Sequence, residues 1–432
     1  MTAFSPLSRR SFLRTAAAAA PFFIVPRAVL GRGYLAPSDT IQLGFIGLGR
    51  QSEGLLRRFI ATKQVAVLGA SDVDALKVER FRKWHEKFVT TESGSLKNQL
   101  QGYPDFNELL ARPDLDAVVI ATPDHWHAVQ GIRAMQAGKD VYCEKPLTLT
   151  VAEGRAMVDA ARRHRRVVQT GSMQRSDANF RKACELVRNG YLGTIREVLV
   201  TVGGPPVPVD FAEEPVPAHL HWDRWLGPNA PHHYNHVLAP RLEDTFWGQW
   251  RNYKGFGGGG MTDWGAHMFD IAQWALRRDE SGPVELSPPT EPGAKWGLTY
   301  RYDDGVVMKH QDFGRGNAVR FIGTEGQLDI SRGFFEPSRR ELVKQELRPT
   351  DERLPAPENH YVDFLNAMRS RQEPICGVET GHRSCTVCNI GNIAYELRRP
   401  LTWNPKKERF KGDAEANALL SRALREPYQV RL

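Results

Sequence analysis

From position 40 onward, short apolar runs alternate with amphipathic stretches, and the two periods locate most elements before any single residue is weighed. Apolar runs over 41–46, 64–70, 117–121, 141–143 and 167–169 predict strands. Helical patterns follow the first run, recur near 106–111, open at 122–127 to run to about 137, and fill 151–164. Strand followed by helix, repeated in this way, predicts a parallel sheet. A helix over 179–189, stopped by Gly190, then leads into an apolar strand over 195–202, where a second domain starts. Regularity is lost between 203 and 256, a stretch rich in proline and aromatic residues. Period-two alternation returns around 296–302, 306–311, 318–323 and 327–330, with Asp303-Asp304-Gly305 as a hairpin signal. These runs predict an open, mainly antiparallel sheet. Helices near 360–371 and 380–398 follow, the second expected to return to the first domain, and no internal repeat is present.

The fold class expected is therefore α/β. A leader over 1–33 precedes a dinucleotide-type Rossmann domain over 40–175, completed by the returning helix near 380–398. A second α/β domain over 176–400 and a tail over 401–432 complete the chain. At 432 residues the chain is long enough for two cores, and 25% charged with 41% hydrophobic residues is ordinary for a globular protein.

The net charge of +8 invites a nucleic-acid reading, but its distribution removes it. Residues 1–33 hold Arg9, Arg10, Arg14, Arg27 and Arg32 and no acidic residue. Setting these five aside leaves 53 basic against 50 acidic groups, a balance of +3, too small to argue for phosphate-backbone binding. The same stretch, Ser8-Arg9-Arg10-Ser11-Phe12-Leu13-Arg14 followed by an alanine run and Pro21-Phe22-Phe23-Ile24-Val25, reads as a twin-arginine export signal. Its apolar run is shorter than the roughly 20 residues a membrane-spanning helix needs. The Tat export machinery is thus an expected partner, and a periplasmic or otherwise exported location follows.

Candidate chemistry begins where the first strand runs into Gly47-Leu48-Gly49-Arg50-Gln51-Ser52. Two glycines permit a tight turn and the close approach of a pyrophosphate to a helix N-terminus, while Ser52 stands where a third glycine would ease helix packing. Asp72, at the end of the second strand, is placed to grip ribose hydroxyls, and the absence of an arginine directly after it favours NAD over NADP. Loops at the carboxyl ends of parallel strands face the ligand crevice. This puts Thr122, Pro123, His125 and Trp126 near the cofactor, with His127 there too or satisfied as a helix-start histidine. The strand over 141–143 delivers Glu144-Lys145-Pro146 into the same crevice, and Pro146 ends the ladder so that the backbone aims the Lys145 ammonium.

Further on, Gly257-Gly258-Gly259-Gly260 opens a helix expected to run to about 276 and to carry Asp263 and His267 four apart on one face. Histidine is suited to take a hydroxyl proton near neutral pH, and a neighbouring carboxylate can orient it. A purely structural helix-face pair has the same spacing. The rings of 203–256, among them Trp222, Trp225, Tyr234, Phe246, Trp247 and Trp250, either stack on sugar C–H faces or clamp the loop. His219, His221, His232, His233 and His236 show no tight metal-ligand spacing, so no metal is expected. Cys385-x-x-Cys388 lies in a helical pattern, with no second such pair, and is expected to pack as buried thiols.

In order and spacing, the twin-arginine leader, Gly47-x-Gly49, Asp72, Glu144-Lys145-Pro146 and Gly259-Gly260 with Asp263 and His267 resemble the Gfo/Idh/MocA family of oxidoreductases, of glucose-fructose oxidoreductase and inositol dehydrogenase type. That resemblance covers nearly all of 40–400. It implies a Rossmann domain binding NAD or NADP, and a second domain whose open sheet forms the substrate pocket and a homodimer or homotetramer. It further implies that Lys145 holds the reacting oxygen, His267 is the general acid/base and Asp263 supports it. The expected reaction is hydride transfer from a sugar or polyol, with the cofactor retained and recycled in an exported protein. The alternatives are a glycosidase or lyase acting through a transient keto-sugar, and a non-catalytic sugar-binding protein on a dehydrogenase fold.

Overall fold

The computed structural model describes residues 39–93, 100–244 and 246–430; the export-signal reading lies outside them. The described residues from Ile41 onward form one compact unit. Its first sheet runs through β1 (Ile41–Ile46), α1 (Arg50–Ala61), β2 (Val65–Ser71), α2 (Ala75–Ser93), β3 (Gln101–Tyr103), α3 (Phe106–Leu110), β4 (Ala117–Ile120), α4 (Asp124–Gln136), β5 (Asp140–Cys143), α5 (Val151–His164) and β6 (Val168–Thr170). The six strands lie in the order β3-β2-β1-β4-β5-β6 and every pairing is parallel. Every residue of β4 and β5 is buried, as expected when helices cover both faces, which is why these strands read as unbroken apolar runs. The order reverses between β1 and β4, and a crevice opens there at the carboxyl ends of the strands. The helix α2 and the short edge strand β3 were not expected from the sequence.

The second part begins with α6 (Ala178–Arg188), capped by Asp177, and β7 (Ile195–Thr201). After a long excursion containing α7 (Trp222–Leu226), two short helices follow, α8 (Gly260–Asp263) and α9 (Gly265–Ala275). The helix expected to open at the glycine run and reach about 276 is thus divided at Trp264. In an unbroken helix the Asp263 carbonyl would accept from the His267 amide; here it accepts from Lys145 Nζ at 2.9 Å, and the His267 amide bonds the Trp264 carbonyl instead. The remaining strands are β8 (Glu285–Ser287), β9 (Leu298–Arg301), β10 (Val307–His310), β11 (Ala318–Gly323), β12 (Gln327–Ser331), β13 (Phe334–Pro337), β14 (Leu401–Asn404) and β15 (Arg409–Phe410). With β7 they make a nine-stranded sheet ordered β13-β12-β11-β7-β10-β9-β8-β14-β15. Only β7 and β10 pair in parallel; the other pairings are antiparallel. One face packs on Met268, Phe269 and Ile271 of α9. The other carries cross-strand ion pairs such as Arg320 with Asp329 and Lys309 with Glu197.

Two late helices close the first domain's core. α10 (His360–Ser370) sets Tyr361, Phe364 and Leu365 against Phe45, Phe59 and Tyr142, with Phe59 and Tyr361 edge-to-face at 5.0 Å. α11 (Val378–Leu397) places Val378 and Cys385 in the core of α4 and α5, and Val387, Cys388 and Ile390 in the core under the large sheet. The C-x-x-C therefore straddles two cores. Both thiols are buried and free, and burial raises both pKa values, so they are unreactive packing groups. A last short helix, α12 (Ala414–Ala418), precedes a tail that runs back over α4.

Charged clamps join these parts. Arg155 of α5 makes bidentate bonds to Glu379 of α11, at 2.8 and 2.9 Å, and to Glu408 beside β15, at 2.7 and 2.9 Å. Burial alone would raise the Glu379 carboxyl, but bonds and charge from Arg155 and Arg383 outweigh it and hold it at about 2, against an ordinary 4.5. A depressed carboxylate contributes stability above its unfolded pKa and loses it as pH falls through the folded one. The melting temperature of Glu379→Gln is therefore expected to lie below wild type at pH 6, with the gap shrinking between about pH 4.5 and 2. A gap independent of pH in thermal melts followed by circular dichroism would contradict this coupling.

Candidate active site and cofactor cleft

The turn after β1 is shaped by what cannot fit there. Gly47 has φ +84°, and a Cβ on it would lie 2.6 Å from the Thr122 amide nitrogen, so β1 and β4 meet through a residue without a side chain. Gly49 is the reverse case: a Cβ there meets nothing within 4 Å, and as N-cap of the 12-residue α1 it offers no side-chain cap. Open space in front of uncapped helix N–H groups fits a pyrophosphate. Ser52 replaces the third glycine without obstruction because its buried hydroxyl turns back to the Gly49 carbonyl at 2.6 Å.

Asp72 ties the cleft together. Its Oδ2 accepts from the Leu48 amide at 2.7 Å and its Oδ1 from the Asp74 amide at 2.9 Å, while Arg80 donates to the Leu48 carbonyl at 2.9 Å. Leu48 is thus consumed in holding the turn, and Asp72 both fixes that turn and faces the cleft, where each oxygen keeps a further lone pair for a ribose hydroxyl. Burial raises the Asp72 carboxyl, against opposing bonds and the Lys77 charge.

The cleft has an empty volume of about 1250 Å³, open solvent at its mouth included. Gly47, Gly49, Arg50, Gln51, Asp72, Thr122, Pro123 and Trp126 line it from the first domain. His125, expected at the cofactor, is instead buried behind its wall, and His127 there takes the alternative place of a helix-start histidine bonded to the backbone. His125 Nε2 lies 3.0 Å from the Trp225 carbonyl, and His127 joins the Pro146 carbonyl at 2.8 Å to that of Thr122 at 3.0 Å. Burial pulls their pKa values down to about 3 and about 4, so both are neutral, and the single N–H of His127 donates to only one of its two carbonyl neighbours.

The roof comes from the irregular excursion. Leu238, Pro240, Phe246, Trp247, Trp250 and Arg251 overhang the cleft, and Arg50 reaches across to the Asp244 carbonyl at 2.6 Å. Most rings of this stretch clamp it: Trp222, Trp225, Tyr234, Trp250 and Phe256 form their own core, with Trp222 and Trp225 stacked at 4.7 Å. Trp247, 49% exposed, remains at the mouth. The tail fastens the roof from the far side. Arg425 bonds the Asp223 carboxylate at 2.6 Å, Arg422 bonds the His125 carbonyl at 2.8 Å, and Tyr428 sits edge-on to Trp126 at 5.0 Å.

Beyond the cleft, β5 ends in Glu144 and Lys145, with a cis bond to Pro146. Lys145 Nζ donates to Asp263 Oδ1 at 2.7 Å and to the Asp263 carbonyl at 2.9 Å. These bonds use two of three ammonium donors and leave the third for a ligand oxygen. Burial alone would raise the Asp263 carboxyl; Lys145 and Arg251, whose Nε is 3.5 Å away, reverse this and lower it. Glu144 is buried beside Gln51 and Tyr142, and burial raises its pKa despite Lys145.

Asp263 does not orient His267, as their spacing implied, because Lys145 holds its carboxylate. Nε2 of His267 faces Arg332 Nη2 at 3.0 Å, and its Nδ1 is buried with no partner. Burial first, then the charges of Lys145 and Arg332, push its pKa well below 6.5. His267 is therefore neutral at pH 7. Three groups here were not anticipated. Arg332 arrives from the β12–β13 turn, Arg251 from the roof, and Asp124, whose carboxyl burial raises strongly, lies in the field of Arg251, Asp263 and Lys145. Asp124 stands inside the Thr122–His127 run and was open to notice. The arginines carry no local signal, since tertiary contacts alone bring them in. Among the described residues no group of three or more His, Cys, Asp or Glu side chains is placed to hold a metal; His219 and His236 pair with Asp74 and Glu214.

Residues 41–172 match the NAD-binding Rossmann fold model of the Gfo/Idh/MocA oxidoreductases, and residues 208–430 match the model of their C-terminal alpha/beta domain. A glycosyl hydrolase family 109 protein of Shewanella pealeana is 30% identical over 210 residues, 44% of this chain and 44% of that protein. Myo-inositol 2-dehydrogenase of Thermotoga maritima is 30% identical over 172 residues, 40% of this chain and 48% of that one. The chain thus spans less than half the length of these curated relatives. Among solved structures, the WlbA dehydrogenase of Bordetella pertussis, in complex with NADH and UDP-GlcNAcA, covers 84% of this chain and 98% of its own, with a TM-score of 0.59 and 17% identity. At that identity the likeness speaks for the fold alone.

Proposed function

Because the chain belongs to the Gfo/Idh/MocA oxidoreductase family and carries its NAD-binding Rossmann fold, we propose that it oxidises a hydroxyl-bearing carbon of a sugar, polyol or glycoside. NAD, when bound, supplies the hydride acceptor. The observation that carries this reading is the convergence of Lys145, Asp263 and His267 between the end of β5 and the α8–α9 break, with the Lys145 charge felt by His267. Lys145 donates its remaining N–H to the reacting oxygen and stabilises negative charge there; Asp263 fixes the ammonium; His267, neutral at pH 7, accepts the hydroxyl proton. Its burial excludes water from that proton transfer.

The same reading includes a retained cofactor. Roof, tail and Rossmann crevice would enclose a bound dinucleotide, and an enzyme exported by a twin-arginine leader would recycle NAD internally. Copies would pair through the large sheet as a dimer or tetramer. A second reading, a glycosidase acting through a transient keto-sugar, is favoured by the family 109 relative. Purified protein should release close to one NAD per chain on denaturation, and the holoenzyme should exchange hydride between sugars. Protein that emerges empty but binds NAD reversibly would overturn the retained cycle. Absence of any NAD binding would overturn the enzyme reading altogether.

A further inference from the structure

Arg332 is bonded in a way that conflicts with the proton acceptor beside it. Its Nη2 lies 3.0 Å from His267 Nε2, and its guanidinium lies 4.7 Å over the Trp264 ring. An arginine stays protonated in proteins, so in this contact it donates and the imidazole accepts. The proton of the neutral ring is then on Nδ1, which is buried without a partner. With Nε2 occupied and Nδ1 protonated, His267 has no lone pair for a substrate proton. His267 is 4% exposed, so water has little access to relieve this.

What competes for the guanidinium decides when the histidine becomes available. Glu144, Asp263 and Asp177 are near enough for Arg332 to feel their charge, yet among the described residues Arg332 forms no ion pair. Asp263 is committed to Lys145 and Asp177 caps α6. Most of the Arg332 donors are therefore unfilled, on an exposed residue whose charge, like that of Lys145, reaches His267. A planar fork of unfilled N–H donors suits a carboxylate or phosphate.

We propose that Arg332 is a specificity-determining residue that binds an anionic group on the substrate, a uronate carboxylate or a sugar phosphate, and that this binding draws its guanidinium from His267 Nε2. The inference rests on the sugar-oxidoreductase reading above and names its substrate class. In the proton step that follows, the substrate hydroxyl O–H bond breaks, the proton joins the freed Nε2 lone pair, and the C–H electron pair leaves as hydride to NAD. The histidine is then an imidazolium, with Nδ1 as before.

The test uses NAD-loaded enzyme as wild type, Arg332→Gln and Arg332→Lys. Dissociation constants are measured by calorimetry for D-glucuronate and D-glucose 6-phosphate, each against D-glucose. In wild type at least one anionic sugar should bind about tenfold or more tighter than glucose. That ratio should fall to within about threefold in Arg332→Gln and be partly retained in Arg332→Lys. The better anion identifies carboxylate or phosphate as the group read. Wild type with no anion preference, or Arg332→Gln keeping the full ratio, would overturn the proposal. In turnover, Arg332→Gln should lose more kcat/KM for the anionic sugar than for glucose, by about the ratio lost in binding. Equal loss for both would also overturn it. Failure of every sugar to exchange hydride would sink the oxidoreductase reading, whereas the binding ratios judge Arg332 independently.

Discussion

Replacing Lys145 with methionine should reduce turnover by about 10²- to 10⁴-fold while leaving NAD affinity within a few-fold of wild type. The range is that of a lost oxyanion donor or general acid–base group. Methionine keeps the unbranched apolar stem of lysine, one atom shorter, and removes the charge, so packing at the end of β5 is largely preserved. Asp263 would not be abandoned by the change, because Arg251 stands 3.5 Å from its carboxylate. NAD should be spared because its cleft is lined by Gly47, Gly49, Asp72 and Thr122, and not by the Lys145 ammonium. Steady-state rates together with NAD titration separate the two effects. A loss of less than about tenfold would remove Lys145 from the chemistry, and a parallel loss of NAD binding would make its role structural.

For stability, the largest effect is expected from Asp270→Ala. Arg175, in the turn after β6, and Asp270, in α9, have side chains only 2% and 1% exposed. They are joined by Nε–Oδ2 at 2.9 Å and Nη2–Oδ1 at 2.8 Å, with Ser384 Oγ donating to Oδ1 at 2.6 Å. Alanine would leave a buried guanidinium with only Asp279 as counter-charge, and breaking a pair of this kind costs about 3–5 kcal/mol. The double change Arg175→Met with Asp270→Leu removes both charges together and should recover most of that loss. Urea unfolding of the three proteins decides it; an Asp270→Ala cost below about 1 kcal/mol would mean that Asp279 alone suffices. Activity would report the same bond, since Asp270 is one turn from His267 and the pair anchors α9 to the first domain.

How legible these sites were depended on how local their causes are. The Gly47–Ser52 turn is set by steric demands within a few residues, and β1, β4 and β5 by burial on both faces, so both could be read directly. The helix α2 was missed because its apolar positions Val78, Phe81 and Phe88 are diluted by charge. The short strands β3 and β13 to β15 gain their order from neighbours that no window reveals. Asp263 and His267 share a face only in a continuous helix, and Lys145, 118 residues upstream of Asp263, interrupts it by taking a carbonyl. The rings of 203–256 were equally consistent with stacking on ligand or on one another, and mutual packing prevailed for most of them because each buries more apolar surface that way. Arg332 and Arg251 have ordinary sequence surroundings; only the arrangement of the second domain makes them part of the site.

Helices α10 and α11 supply part of the first domain's core, although that domain's last strand ends at Thr170. A chain emerging from the ribosome therefore presents six strands and their helices while about half of its length, including Tyr361, Phe364 and Val378, is still unmade. Phe59 and Tyr142 must wait with apolar surface uncovered until synthesis is nearly complete. The nascent first half should therefore need chaperones, and a fragment cut at the boundary of the Rossmann family match should expose the same surface.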